Sequence, residues 1–161
     1  MKSKTKKNRK RGKFPSGSPG VLRRDYRPKV KVRFPKLYAK QRRLLYSRHR
    51  YVWIEGATKS GKTHGALHWL IRQAFKMKRG DRCLWVAPVT AQARIAFERA
   101  LKYIPKELCK KSESLRWIEI HGAGRIYFLG ADRPDSLYGE DNHAAVIDEA
   151  SRCKEDVFRA V

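Results

Sequence analysis

Residues 51–63 read YVWIEGATKSGKT, and HGALHWLIRQAFKM follows to residue 77. The apolar run 51–55 predicts a buried strand. Residues 62–77, with Leu67, Leu70, Ala74 and Met77 along one stripe, predict a helix, and Lys78, Arg79 and Gly80 mark its end. Between them lies a turn with two glycines, two lysines and three hydroxyl-bearing residues.

A strand that runs through a glycine-rich turn into a helix start leaves main-chain N–H groups unpaired, with the positive end of the helix dipole behind them. That is a cradle for phosphate. Gly56 and Gly61 let the backbone curl without a Cβ in the way, and Ala57, Thr58, Lys59 and Ser60 form the wall between them. Lys62 is placed to reach the outer phosphates and the Thr63 hydroxyl to ligate Mg²⁺, which completes GxxxxGK[ST], the Walker A pattern. The bland alternative is a glycine-rich loop with no ligand.

The pattern continues outward in α/β alternation. CLWVAP (83–88) predicts a second buried strand stopped by Pro88. Residues 91–104 predict a helix with Ala93, Phe97, Ala100, Leu101 and Ile104 on one face, ended by Pro105. LRWIEI and RIYFLG (115–130) flank HGAG and predict a hairpin inserted in the alternation. AAVIDEAS (144–151) predicts a short apolar strand running into Asp148 and Glu149 and then a helix start. The fold expected is a P-loop NTPase of the ASCE type, three-layer α/β/α with a mostly parallel sheet, incomplete at this length.

The two acids supply the second half of a site. In a P-loop enzyme the carboxylate at a strand end, here Asp148, holds Mg²⁺, while the next, Glu149, polarises the water that attacks the γ-phosphate. An apolar strand followed by two acids is the Walker B pattern. Gln41, in FPKLYAKQ (34–41), could offer a donor and an acceptor to an adenine edge, or be an ordinary helix residue. Arg133, in ADRPDSLYGEDN (131–142), could reach a γ-phosphate, or be one more solvated loop arginine.

Composition narrows the partner. The 161 residues have room for one domain with a modest core, at 41% hydrophobic content. The formal charge of +24 is divided unevenly: residues 1–33 hold 14 Lys and Arg against Asp25 alone, and residues 34–161 the remaining +11. The first 33 residues, with KFPSGSPG among them, predict a basic arm that is disordered when free, ahead of an ATPase domain over 34–161. A field of this sign favours nucleic acid. Cys83, Cys109 and Cys153 form no CxxC pair, so neither a disulfide framework nor a zinc ribbon is expected, and the compartment expected is cytoplasmic. No window is apolar over the length of a membrane span, so no membrane partner is expected.

The chain resembles the ATPase domain of the large terminase subunit, the DNA-packaging motor of tailed bacteriophages. The resemblance rests on YAKQ, GATKSGKT, LWVAPVTAQAR, GADRPDSLYG and VIDEA in that order, over residues 34–161. It implies ATP and Mg²⁺ as cofactors, Gln41 as the adenine contact, Lys62 and Thr63 as phosphate and Mg²⁺ ligands, Asp148 as the Mg²⁺ carboxylate and Glu149 as the catalytic one. It also implies double-stranded DNA, a portal protein and a small terminase subunit as partners, and a homo-oligomeric ring. Family loops usually carry an arginine where this one has Thr58 and Lys59, so Lys59 is the stand-in. Tyr138 occupies a place where many relatives have arginine, which leaves Arg133 as the candidate finger.

Full large terminases continue through further strands, a coupling motif and a nuclease domain. In the family's sheet the coupling strand lies between the P-loop strand and the acidic strand, so the expectation is an N-terminal fragment whose two half-sites lack their spacer. No nuclease site is expected, because no acids beyond Asp148 and Glu149 cluster with two-metal spacing. Three function classes follow: a packaging ATPase, a helicase-like P-loop motor, and a basic fragment that holds nucleotide or nucleic acid without turnover.

Overall fold

The computed structural model describes residues 32, 34, 36–133, 136–139 and 141–161. The expected basic arm at 1–33 lies outside the described residues, apart from Val32. Helix α1 spans Ala39–Leu45 and α2 Lys62–Lys76, followed by strand β1 at Arg82–Ala87 and helix α3 at Thr90–Tyr103. Strands β2 (Cys109–Ser112), β3 (Trp117–Ile120) and β4 (Arg125–Gly130) come next, then β5 (Ala144–Ile147) and helix α4 (Glu155–Ala160).

The sheet order is β2-β3-β4-β1-β5. β1 pairs parallel with β4 and β5, whereas β3 pairs antiparallel with β2 and β4, so β3 alone runs against the other four. The hairpin expected at 115–130 is present as β3 and β4. A further strand, β2, extends it into a three-stranded meander.

Burial explains the layers. β1 is buried from Cys83 to Ala87, as a strand covered on both faces must be. β4 alternates, with Ile126 and Phe128 buried on the side where α2 and α3 pack. On that side α2 contributes Leu67, Leu70, Ile71 and Ala74 and α3 contributes Ala93, Ala96, Phe97 and Ala100. Phe97 meets Phe128 edge to face at 5.6 Å, a geometry that adds about 0.5–1.5 kcal/mol to burial. The opposite side carries a smaller cluster of Leu84, Val86, Leu137 and Val157, the last of these from α4. Three layers result.

One expected element does not form. Residues 51–55 make no strand, and Tyr51 and Trp53 stand 82% and 61% exposed. The segment stays out of the sheet, where β5 pairs with β1 and with no second strand among the described residues. An extended segment with no neighbour leaves its main-chain groups to water and gains nothing from its alternating side chains.

Candidate nucleotide site

The loop from Gly56 to Gly61 runs directly into α2, which starts at Lys62. Gly61, at φ +80°, is the residue preceding the helix, and a Cβ there would sit 2.6 Å from the Gln41 amide nitrogen. The positive φ favours glycine, and any side chain there would also displace the end of the Gln41 side chain. Lys59 also takes a positive φ, 63°. The amide of Ser60 donates to the Ala57 carbonyl at 3.2 Å and that of Gly65 to Gly61 at 2.9 Å, so the turn closes and the helix starts at once.

Gln41 reaches this loop from α1. Its Nε2 donates to the Ser60 carbonyl at 3.0 Å, and its Oε1 accepts from the Tyr38 amide at 2.9 Å. The Oε1 end thus caps the start of α1 itself, and the Nε2 end holds α1 to the loop. Lys62 turns its Nζ back onto the carbonyls of Gly56 and Ala57, the latter at 2.9 Å.

Thr63 and Asp148 lie 85 positions apart in the chain, yet the threonine hydroxyl donates to Asp148 Oδ1 at 3.0 Å. α2 carries the one and the end of β5 carries the other. The Asp148 amide donates to the Val86 carbonyl at 2.8 Å, which continues the β1–β5 ladder one residue past the strand and fixes the carboxylate at its carboxyl end. Burial raises the Asp148 carboxyl above the usual carboxylate range, against the lowering effect of the Thr63 hydrogen bond. A carboxylate and a hydroxyl brought together in a half-buried place are hard oxygen donors of the kind Mg²⁺ takes. Among the described residues no group of three or more His, Cys, Asp or Glu is arranged to hold a metal, so any ion here relies on these two oxygens with phosphate and water.

Glu149 adopts a left-handed conformation, φ 49° and ψ 45°, unusual for a side chain without a local amide. It is held by two partners that sequence reasoning missed. Gln92 Nε2, near the start of α3, donates to Oε2 at 3.3 Å, and Arg152 Nη1 donates to the same oxygen at 2.7 Å. The available signal was position: α3 starts just past the carboxyl end of β1, beside the carboxyl end of β5.

Arg133 is exposed, and its main chain closes a turn, with its amide on the Gly130 carbonyl at 3.2 Å and its own carbonyl accepting from Ser136 Oγ at 2.7 Å. Among the described residues its guanidinium makes no hydrogen bond or ion pair to the loop 56–61. Ala57, Thr58, Lys59 and Ser60 are all exposed on the loop's outer surface. Asp132, beside Arg133, accepts from the Thr90 amide at 3.0 Å and the Thr90 hydroxyl at 2.9 Å, which ties this loop to the start of α3.

Two solved structures match this arrangement of elements. They are the ATPase domain of the large terminase of Thermus phage P74-26 and an arginine-to-alanine variant of the same domain. Each shares 22% identity with this chain at a TM-score of 0.52, covering 64% of this chain and 51% of the solved one. The fold is similar to that of a terminase ATPase domain. The expected α/β class and the expected resemblance are both met at the level of architecture, and the chain spans about half the length of the solved domains it matches. No protein-family model matches the chain, and no curated protein matches it. No helix among the described residues is long and apolar enough to cross a membrane.

Proposed function

We propose that this chain is the ATP-binding and ATP-hydrolysing part of a viral DNA-packaging motor, a terminase large subunit in which hydrolysis drives translocation of double-stranded DNA. The single observation that carries the reading is the hydrogen bond between Thr63 and Asp148, which joins a GxxxxGK[ST] loop to an acidic strand end. In this reading Gly56, Ala57, Thr58, Lys59, Ser60, Gly61 and Lys62 surround the phosphates, and Thr63 and Asp148 hold Mg²⁺. Bound Mg²⁺ would neutralise charge developing on the phosphates. Glu149, steadied by Gln92 and Arg152, orients the attacking water. Gln41 sets the distance between α1 and the loop and stands beside the place where a base would lie. Lys59 and Arg133 are the candidate cations for the transition state. A portal protein, a small terminase subunit and a ring of copies are the partners such a motor would use, in the cytoplasm of a host cell.

A steady-state assay of phosphate release tests this, with Lys62→Ala and Glu149→Ala as controls. Turnover that both substitutions abolish supports the enzyme. Binding of ATP without turnover, in the parent chain and in Glu149→Ala alike, supports instead a nucleotide-holding fragment. That second reading is favoured by one observation, the Lys62 ammonium folded onto the carbonyls of its own loop. Failure of the parent chain to bind ATP and Mg²⁺ at millimolar concentration, or equal binding by Lys62→Ala, overturns both.

A further inference from the structure

From Phe34 to Ile54 the chain holds no acidic residue, and it holds Lys36, Lys40, Arg42, Arg43, Arg48 and Arg50. All six are exposed. None takes part in the ion pairs of the described residues, which fall instead in the region 81–159. The helical spacing of α1 explains how they are displayed. Gln41 and Leu45 lie four apart on the side that meets α2 and the loop, where Leu45 lies close against Gly65. Lys40 and Arg43, three apart, stand on the other side. The segment after the helix adds Arg48 and Arg50, the latter stacked over the Tyr51 ring at 5.4 Å, with Tyr51 and Trp53 exposed beside it.

We propose that the outer face of α1 and the segment 48–53 form a docking surface for the sugar-phosphate backbone of double-stranded DNA, a site that names where the polyanion of the preceding section is held and therefore rests on that reading. Six cations outside the ion pairs of the described residues, all between Lys36 and Arg50, are a concentration of positive charge that a phosphodiester backbone complements, and neutralising it releases counterions. Guanidinium groups suit phosphate forks, and the exposed rings beside them can lie against deoxyribose, which lone lysines would not. Two other candidates are weaker. The cleft of about 310 Å³ between α3 and the β2–β3 turn mixes Arg94 and Arg116 with Glu98 and Glu113, and Arg125 on the sheet face is already paired with Glu119.

The test uses the full chain and a fluorescent 30-base-pair duplex. Anisotropy is followed over a salt series for the parent, for Lys40→Gln/Arg43→Gln, and for a control of equal charge, Lys106→Gln/Lys110→Gln, whose exposed lysines lie toward the opposite edge of the sheet. The α1 variant should lower the slope of log affinity against log salt by about two, at about 0.9 per phosphate contact, with little change in the control. In parallel, bound duplex should protect Lys36 and Lys40 of the parent chain from acetylation more than Lys106 and Lys110. Equal slopes for both variants, or no differential protection, overturn the proposal. So does tighter binding to anionic lipid vesicles than to duplex. Absence of any duplex binding by the parent chain would instead remove DNA as a partner altogether, while the ATP assay stands apart from either result.

Discussion

The Thr63 hydroxyl donates to Asp148 at 3.0 Å, and this one bond ties the first turn of α2 to the last residue of the β5 ladder. Each group alone is ordinary; in the proposed reading the two together would hold a divalent cation. Thr63→Ala and Asp148→Asn should each weaken Mg²⁺-dependent ATP binding at least tenfold, about 1.4 kcal/mol, while the far-ultraviolet circular dichroism stays unchanged. Titration calorimetry with and without Mg²⁺ checks this, and metal-independent binding in the parent chain would refute it.

A side chain at Gly61 should be costly. Gly61→Ala forces alanine into the left-handed region, at about 1–2 kcal/mol, and pushes its methyl into the Gln41 amide. The expected result is a lower thermal midpoint together with lost ATP binding. Gln41→Ala in the same background should restore part of the stability by making room, and an additive double variant would rule the contact out.

Gly130 is constrained by packing rather than by φ. A Cβ there would meet Asp132 Oδ1 and the main chain of Thr90, whose Cα lies 2.7 Å away. Since main chain cannot step aside, Gly130→Ala should cost about 1–3 kcal/mol in a denaturant titration. An unchanged midpoint would show that the Thr90–Asp132 tie opens freely.

His68 supplies a pH dependence. It is almost fully buried on α2, edge-on to Phe34 at 4.4 Å, and burial first, then Arg72 and His64, lower its pKa below the ordinary 6.5. The unfolded chain therefore binds the proton more readily than the folded one. Stability is full above about pH 6.5 and declines as the pH falls from there toward the folded value. Thermal melts between pH 5 and 8 should show this decline, and His68→Leu should flatten it.

The cysteines should differ in reactivity. Burial pushes the Cys83 thiol up to about 12, and raises Cys109 and Cys153 from less enclosed positions. Iodoacetamide at pH 8 should label Cys109 and Cys153 well before Cys83, read by mass spectrometry of tryptic peptides. Early loss of Cys83 would mean that β1 is open to solvent.

Periodicity located α2, β1, α3 and β5 within a residue or two, because each buries a continuous face that its own sequence must supply. The same reasoning misjudged Tyr51–Glu55. Alternation and apolarity record only that a segment suits a sheet; whether a neighbouring strand is there to pair with is a tertiary matter. Strand β2 was missed for the opposite reason. Cys109–Ser112 is a half-exposed edge of mostly polar residues, specified by its register against β3, with Ser112 opposite Trp117, and not by any pattern of its own. At the site, the loop and the acids were legible from local spacing. The grip of Gln92 on Glu149 was not, since 57 residues separate them and only the parallel β1–β5 pairing makes them neighbours.

The bare flank of β5 has a practical side. Main-chain amides and carbonyls along Ala144–Ile147 that find no ladder on that flank among the described residues are a template onto which an extended polypeptide can zip, a second molecule of this one included. Concentrated preparations should thus oligomerise edge to edge, and sedimentation across a dilution series should show the assemblies falling apart.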